Sequence, residues 1–317
     1  MSYLARRVVV AAGLVWLVAT LIFLVLRLVP GDPAELLLSG GGVAPPPAAV
    51  AELRERLGLT RPLPVQYAAF MGQLLRGDLG HSLLDDHAVI EEVARRLPRT
   101  LELIAAATLL AVLVGLPLGV IAALRRGRGV DRALSMIASV NLSVPVFVTG
   151  TLLVLVLAQT LRWVPAGGFV ELSKAPGTHL LYLLMPAITI AIGLSTVVFR
   201  MVRTTVLDTL EREWVRTAHA KGLAPGQVLR RHVVRNALGP VVTVLGLHVG
   251  TLLGGTVLVE YVFNWPGLSG FLVRAVEQRD YPEVQGIVLV ICVIFVGLNL
   301  AVDLLYAVLD PRVRHST

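Results

Sequence analysis

The chain is 317 residues long, 56% hydrophobic and only 15% charged, with a mean hydropathy of +0.77 and a formal net charge of +7. Soluble domains carry roughly 25% charged residues, and a water-soluble fold of this length has too little interior for so much apolar side chain, so the excess belongs in a bilayer. A single cysteine, Cys292, excludes an intrachain disulfide and a cysteine metal site, and it reads as a small apolar residue.

Six runs reach the ~20 apolar residues that a spanning helix needs. The first, residues 8–26, is uncharged and follows Arg6 and Arg7. A charged start and apolar middle also fit a cleaved leader. The run is too long for one, however, and Arg27-Leu28-Val29-Pro30 offers no small-residue cleavage site, so it reads as a retained helix. Residues 27–102 predict a small extracytoplasmic cap. In it Gly40-Gly41-Gly42 and Pro45-Pro46-Pro47 mark an extended stretch. Residues 48–57 place Val50, Leu53 and Leu57 on one helical face, and residues 64–75 predict a second short amphipathic helix before the turn Gly77-Asp78-Leu79-Gly80.

The second run, 103–124, is closed by Arg125, Arg126 and Arg128. The third lies within 133–161 and holds Asn141 and Pro145, where a kink is expected. The fourth, within 180–199, is ended by Arg200 and Arg203; the fifth lies within 238–259 and the sixth within 284–302. Gly250 and Gly254 in the fifth form a GxxxG, which predicts tight helix packing. Arginine and lysine crowd segments 1–7, 125–132, 200–237 and 303–317, whereas loops 162–179 and 260–283 carry only Arg162, Lys174, Arg274 and Arg279. The bias places both termini in the cytoplasm. The domain reading is an N-terminal helix (1–26), the cap (27–102) and a five-helix core (103–317).

Segment 203–238 is long for an inner loop and is patterned. Residues 205–221 predict one helix with Leu207, Leu210, Trp214 and Ala218 at helical spacing. Gly222 ends it, Ala224-Pro225-Gly226 turns the chain, and residues 227–237 resume a basic helix. A helix–glycine–helix of this kind is a docking surface for a soluble partner. Charge that only sets topology would not require Glu213, Trp214, Gly222 or His232.

The stretch Glu213-Trp214-Val215-Arg216-Thr217-Ala218-His219-Ala220-Lys221-Gly222-Leu223, followed by His232 and Arg235-Asn236-Ala237-Leu238-Gly239-Pro240, resembles the permease motif of ABC importers. Further matches run through the chain in order. They are Pro30-Gly31-Asp32-Pro33, Gly77-Asp78-Leu79-Gly80-His81-Ser82, Leu97-Pro98-Arg99-Thr100-Leu101, Glu260-Tyr261-Val262-Phe263-Asn264-Trp265-Pro266-Gly267, Arg279-Asp280-Tyr281-Pro282, Asp303-Leu304-Leu305-Tyr306 and Asp310-Pro311-Arg312. The ordered set is similar to the first permease subunit of dipeptide/oligopeptide ABC importers, the DppB/OppB type.

That resemblance implies an all-α membrane protein of type I importer architecture with about six spans. It implies a second, related permease (DppC/OppC-like), two ATP-binding subunits on the cytoplasmic face and an extracytoplasmic solute-binding protein. It implies no cofactor on this chain, with ATP and magnesium held by the partner subunits; nucleic acid is set aside because the basic residues cluster beside the apolar runs, where they set topology. It carries the ATPase-coupling role to Glu213, Arg216, Thr217, Ala218, Ala220, Lys221, Gly222 and Leu223. The general motif begins Glu-Ala-Ala where this chain has Arg216, Thr217 and Ala218, a departure that the peptide branch shares.

Chemistry of its own is not written in the chain. A phosphate-cradling loop needs Gly-Lys-Ser/Thr, yet Lys174 follows Ser173 and Lys221 follows Ala220. Polar residues at bilayer depth are functional candidates: Asn141 with Pro145, His248, and Asn299 with Asp303; Glu260 lies near the outer edge. Asn141, Pro145, His248 and Glu260 are expected to border a substrate pathway or gate. Interhelical packing for His248 and support of the Asn264–Gly267 turn for Glu260 are the competing roles. The same scaffold serves nickel and glutathione. An ion-coupled carrier would want repeat symmetry and paired midplane charges, and a membrane enzyme a cluster of acid–base groups; the sequence shows neither.

Overall fold

The structure, a computed structural model, describes residues 3–28, 34–35, 45–56 and 58–309. Pro30-Gly31-Asp32-Pro33, Gly40-Gly41-Gly42, Leu57 and Asp310-Pro311-Arg312 lie outside these residues, as does the side chain of Asp303. The regular structure of the described residues is helical apart from one isolated antiparallel bridge between His81 and Ala88, with turns and loops between the helices. The helices are α1 (Tyr3–Leu28), α2 (Pro47–Arg56), α3 (Leu63–Leu75), α4 (Val89–Leu124), α5 (Gly129–Ser143), α6 (Val146–Thr160), α7 (Pro176–Leu210), α8 (Glu213–Ala220), α9 (Pro225–Gly255), α10 (Val257–Val262), α11 (Leu268–Glu277) and α12 (Tyr281–Leu309). Five of them, α1, α4, α7, α9 and α12, are long and apolar enough to cross a bilayer; α5 and α6 make a sixth if taken as one broken span.

The third apolar run is more than a kinked helix: α5 and α6 meet at 100°. Pro145 lacks an N–H and its ring disfavours a helical neighbour, so Val144 is extended (φ −94°, ψ 122°) and the helix restarts at Val146. The helix expected over 205–221 is likewise divided. The apolar helix α7 runs on to Leu210, Arg212 is extended (ψ 141°), and α8 begins afresh at Glu213. Thr205 and Thr209 turn their hydroxyls onto the carbonyls of Met201 and Thr205, one turn back, which weakens the ladder where α7 ends.

The chain forms two compact units. In the unit of Met1–Pro98 and Phe271–Val296, α1 sets Phe23 edge-on to Tyr67 of α3 with ring centroids 5.3 Å apart, and Thr20 Oγ1 lies 2.8 Å from the Tyr67 hydroxyl. Buried Asp280 accepts hydrogen bonds from Ser82 Oγ (2.6 Å) and the Leu83 N–H (3.0 Å), which joins the motif at 77–82 to that at 279–282.

In the unit of Arg99–Gly270 and Gly297–Thr317, α4 and α7 touch backbone to backbone. A Cβ at Gly115 would fall 2.6 Å from the Ser195 carbonyl oxygen, and one at Gly119 would fall 2.8 Å from Val202 Cβ. This Gly115/Gly119 pair makes the close approach, whereas Gly254 of the expected GxxxG has open space where its Cβ would be. One apolar cluster gathers Leu103, Met185, Ile190, Val259, Phe263 and Trp265; another gathers Val198, Val202, Val206, Val215, Val228 and Val233.

Candidate functional site

Helix α8 has an anchored side and an open one. Val215 and Ala218 are buried in the second cluster, beside partly buried Leu207, Leu210 and Leu223. Fully burying a valine is worth roughly 1.5–3 kcal/mol, which suffices to seat so short a helix. Glu213, Trp214, Arg216, Thr217, Ala220, Lys221 and Gly222 are exposed. Trp214 therefore does not belong to the buried stripe; Val215, next to it, takes that place because the helix is phased by Val215 and Ala218.

The end of α8 follows from glycine chemistry. Gly222 sits at φ +80°, a left-handed conformation that costs an L residue with a Cβ about 1–2 kcal/mol. Its N–H bonds the His219 carbonyl (2.9 Å), and the Leu223 N–H reaches back to the Ala218 carbonyl (3.4 Å). This is a Schellman closure, with Leu223 as its hydrophobic contact. Pro225 then opens α9 at a position where its missing N–H costs nothing. On the surface Glu213 pairs with Arg216 at 2.9 Å, but both are exposed and the pair adds little. The Thr217 hydroxyl caps back onto the Glu213 carbonyl (3.0 Å).

The apolar helices hold the other candidates apart. Asn141 is half-buried in α5, three residues before the break that exposed Pro145 creates. His248 is half-buried on α9 and borders an apolar crevice with Leu194, Val198, Met201 and Leu245.

Glu260, on α10 beyond the apolar stretch of α9, is only 1% exposed. It accepts hydrogen bonds from Thr100 Oγ1 (2.7 Å) and the Gly270 N–H (2.8 Å), with Thr256 Oγ1 at 3.4 Å. Thr100 Oγ1 in turn accepts from the Leu268 N–H (2.8 Å), and Gly267 lies so close to the carboxylate that no Cβ would fit. Burial pushes the Glu260 carboxyl above the usual range, against the lowering effect of its hydrogen bonds. The carboxylate thus holds the 264–267 turn.

Neighbouring groups that sequence reading passed over complete this hub. Trp265 Nε1 donates to the Arg99 carbonyl (3.1 Å) and stands edge-on to Phe169 (5.1 Å), while the Arg99 guanidinium lies 4.5 Å over the Phe169 ring. His179, 1% exposed, has Nδ1 2.6 Å from the Val170 carbonyl oxygen and Nε2 2.7 Å from Glu102 Oε1. Glu260 and Thr100 lie 160 positions apart, a separation no local periodicity reports; the signal available was that both stand in motifs. Also missed was Asp131, buried at the start of α5 and paired in two bonds to Arg203. Within the first unit, a cavity of ≈ 510 Å³ opens among Arg61, Gln73, Asp78, His81, Tyr281 and Gln285.

Among the described residues no group of three or more His, Cys, Asp or Glu is placed to hold a metal.

Comparison with known proteins fits this architecture. Residues 115–315 match the model for the binding-protein-dependent transport system inner membrane component, and residues 1–104 match the N-terminal model for the same type of component. A putative peptide permease protein of Brucella suis is 40% identical, with 99% of each chain covered. The di/tripeptide transport system permease protein DppB of Pseudomonas aeruginosa is 39% identical over 100% of this chain and 99% of its own. The glutathione transport system permease protein GsiC of Salmonella choleraesuis is 37% identical over the whole of both. Among solved structures, a chain of the inward-facing MetNI methionine ABC transporter superposes with a TM-score of 0.56 at 18% identity, covering 70% of this chain and 97% of that one.

Proposed function

The chain belongs to the family of binding-protein-dependent transport system inner membrane components, and from that premise we propose that it forms half of the translocation pathway of an ATP-driven importer of short peptides. It is a multi-pass permease subunit of the bacterial inner membrane. The names of its full-length relatives support the peptide reading. The observation that carries the coupling role is α8 itself. A helix of eight residues, fixed underneath by Val215 and Ala218 and closed by Gly222, presents an open polar face.

In this reading the termini and α8 are cytoplasmic, ATP and magnesium sit on two partner ATPases, and this chain hydrolyses nothing. Glu213, Arg216, Thr217, Ala220 and Lys221 contact the ATPase. Ala218, Gly222 and Leu223 position them. ATP binding can shift the inward–outward equilibrium only through contacts that differ between the two states. Seating α8 in an ATPase groove supplies such contacts at the joined ends of α7 and α9. Asn141, Pro145 and His248 border the pathway, and Glu260 fixes the turn at one mouth of it. The segment 27–102 is the extracytoplasmic cap that meets the solute-binding protein, and residues 103–317 are the core that pairs with a second, homologous permease.

The test is affinity purification of the chain from membranes with assay of associated ATPase activity. Wild type is expected to bring down ATPase subunits, and the Gly222→Pro, Glu213→Arg double variant to insert but lose them. An inserted wild type without ATPase refutes the importer reading. Glutathione is the second reading, favoured by the GsiC relative. Uptake of labelled glutathione that an excess of ordinary α-linked di- or tripeptide does not reduce would decide for it.

A further inference from the structure

Beside the coupling helix, within the same unit, the structure holds a charged clamp that the reading above does not use. Asp131 is the third residue of α5 and is 4% exposed. Its Oδ1 accepts from Arg203 Nε (2.7 Å) and its Oδ2 from Arg203 Nη2 (2.9 Å), a parallel two-bond pairing. Oδ2 also accepts the Gly127 N–H (2.9 Å), and Ser135 Oγ lies 3.5 Å from Oδ1. The carboxylate therefore does two things at once. It closes the turn that enters α5, and it ties that turn to α7 seven residues before α7 ends. Two lighter rungs flank it in antiparallel order: Arg200 Nη2 to Ser139 Oγ (3.0 Å) and Arg126 Nη1 to Glu211 Oε1 (2.9 Å). The second rung reaches the residue at which α7 breaks before α8.

The rungs differ in weight. Arg126 and Glu211 are both mostly exposed, so water screens their attraction. Asp131 is covered by Arg203 and by the turn at Gly127, so removing its partner takes away two hydrogen bonds and the charge that neutralises it. The far end of α5 is as well defined as the near one, because the chain turns by 100° immediately after Ser143. On α7, the carbonyl of Ser195 and the side chains of Val198 and Val202 are pressed against Gly115 and Gly119 of α4. A helix clamped at its start and free to bend only past its end moves as a rod.

We propose that Asp131 and Arg203 are positioning residues for energy coupling: their two-bond pair binds α5 to the end of α7, so that displacement of α8 by the ATPase carries α5 and α7 together and the chain flexes at Val144–Pro145. The inference rests on the importer reading and adds to it. The coupling segment alone, as read from sequence, would move only the helices on either side of it, α7 and α9; the clamp adds α5, and with it Asn141.

The test uses the complete importer, reconstituted in lipid vesicles with its binding protein. It reads labelled dipeptide taken up per ATP hydrolysed. Asp131→Asn and Arg203→Gln are expected to assemble and hydrolyse ATP, yet to lower that ratio about tenfold, within the range of ordinary coupling free energies. Arg126→Gln, on the exposed rung, should leave the ratio within about twofold of wild type. The exchange variant Asp131→Arg with Arg203→Asp should recover part of the loss, which a residue of merely structural value would not.

A spin-label distance between Met136 of α5 and Ala224, in the turn that follows α8, in a Cys292→Ser background, tests the rod without breaking the clamp. It should stay constant when ATP is added. A distance that changes with ATP, or an unchanged ratio in Asp131→Asn, overturns the inference while leaving the importer reading intact. A wild type that carries no ATPase overturns both.

Discussion

Replacing Glu260 separates a carboxylate that braces the fold from one that merely occupies space. In Glu260→Ala the Thr100 hydroxyl and the Gly270 N–H lose their acceptor inside a site that is 1% exposed. Each unsatisfied group costs roughly 1–3 kcal/mol, and the void left by the side chain adds a packing loss. Against this stands relief of the desolvation that burial imposes on the carboxyl, so a net loss of about 3–5 kcal/mol is expected. Glu260→Gln keeps the shape and one acceptor oxygen. Its amide can donate to Thr256 or Thr100, and it should cost only about 1 kcal/mol. Thermal unfolding in detergent, followed by tryptophan fluorescence, reads the difference. The pH dependence has a defined sign. Burial raises the folded pKa of Glu260 above its unfolded value near 4.5. Its stabilising contribution is therefore complete below that unfolded value and is lost as pH rises through the folded one. The wild type's advantage over Glu260→Gln should shrink as pH rises above 4.5. An alanine variant as stable as the glutamine variant, or an advantage that grows with pH, refutes the hub.

Three further outcomes follow from particular contacts. Gly222→Val places a branched side chain at φ +80° and should cost about 1–2 kcal/mol of local stability; hydrogen exchange should quicken over 213–223 while α7 is unchanged. Gly115→Leu drives its Cβ onto the Ser195 carbonyl oxygen, 2.6 Å away, and forces α4 from α7. A loss of about 1–3 kcal/mol is expected from such overpacking, with Gly254→Leu, where the space is open, as the tolerated control in melting of the isolated subunit. Asp280→Ala removes the shared acceptor of Ser82 Oγ and the Leu83 N–H, costing about 2–4 kcal/mol; limited proteolysis should then open the 77–88 loop first.

The apolar runs were legible because bilayer thickness converts composition into helix length. The end of α8 was legible because a left-handed residue after a helix is nearly always glycine. Pro145 announced a disturbance, but its size was not readable: a proline fixes only its own φ and its neighbour's basin, and the 100° turn depends on how α6 packs afterwards. Residues 205–221 were read as one helix because helical spacing continues through Glu211 and Arg212; the break comes from backbone geometry at Arg212, and it changes which residue is buried, Val215 rather than Trp214. The Asp131–Arg203 pair was invisible for the reason that hides most tertiary ion pairs: 72 residues separate two charges whose types are common at the ends of apolar helices.

The motifs that set the family apart acquire a physical meaning once their partners are seen. Leu97-Pro98-Arg99-Thr100-Leu101 and Glu260–Gly267 are distant in sequence, yet Thr100 donates to Glu260 and the Arg99 carbonyl receives the Trp265 indole. Gly77–Ser82 and Arg279–Pro282 join in the same way through Ser82 and Asp280. Buried polar side chains are mostly hydrogen-bonded, and in these two cases each motif is half of a bond whose other half is another motif. Helix α8 is different. Glu213, Arg216 and Lys221 stand exposed, and the Glu213–Arg216 pair lies wholly at the surface. A patterned face left at the surface is the one that we propose meets the ATPase. By this argument exchange of the exposed face of α8 should leave melting of the isolated subunit unchanged and abolish ATPase association. Exchange at Thr100 or Ser82 should do the reverse, lowering stability first and association only as a consequence.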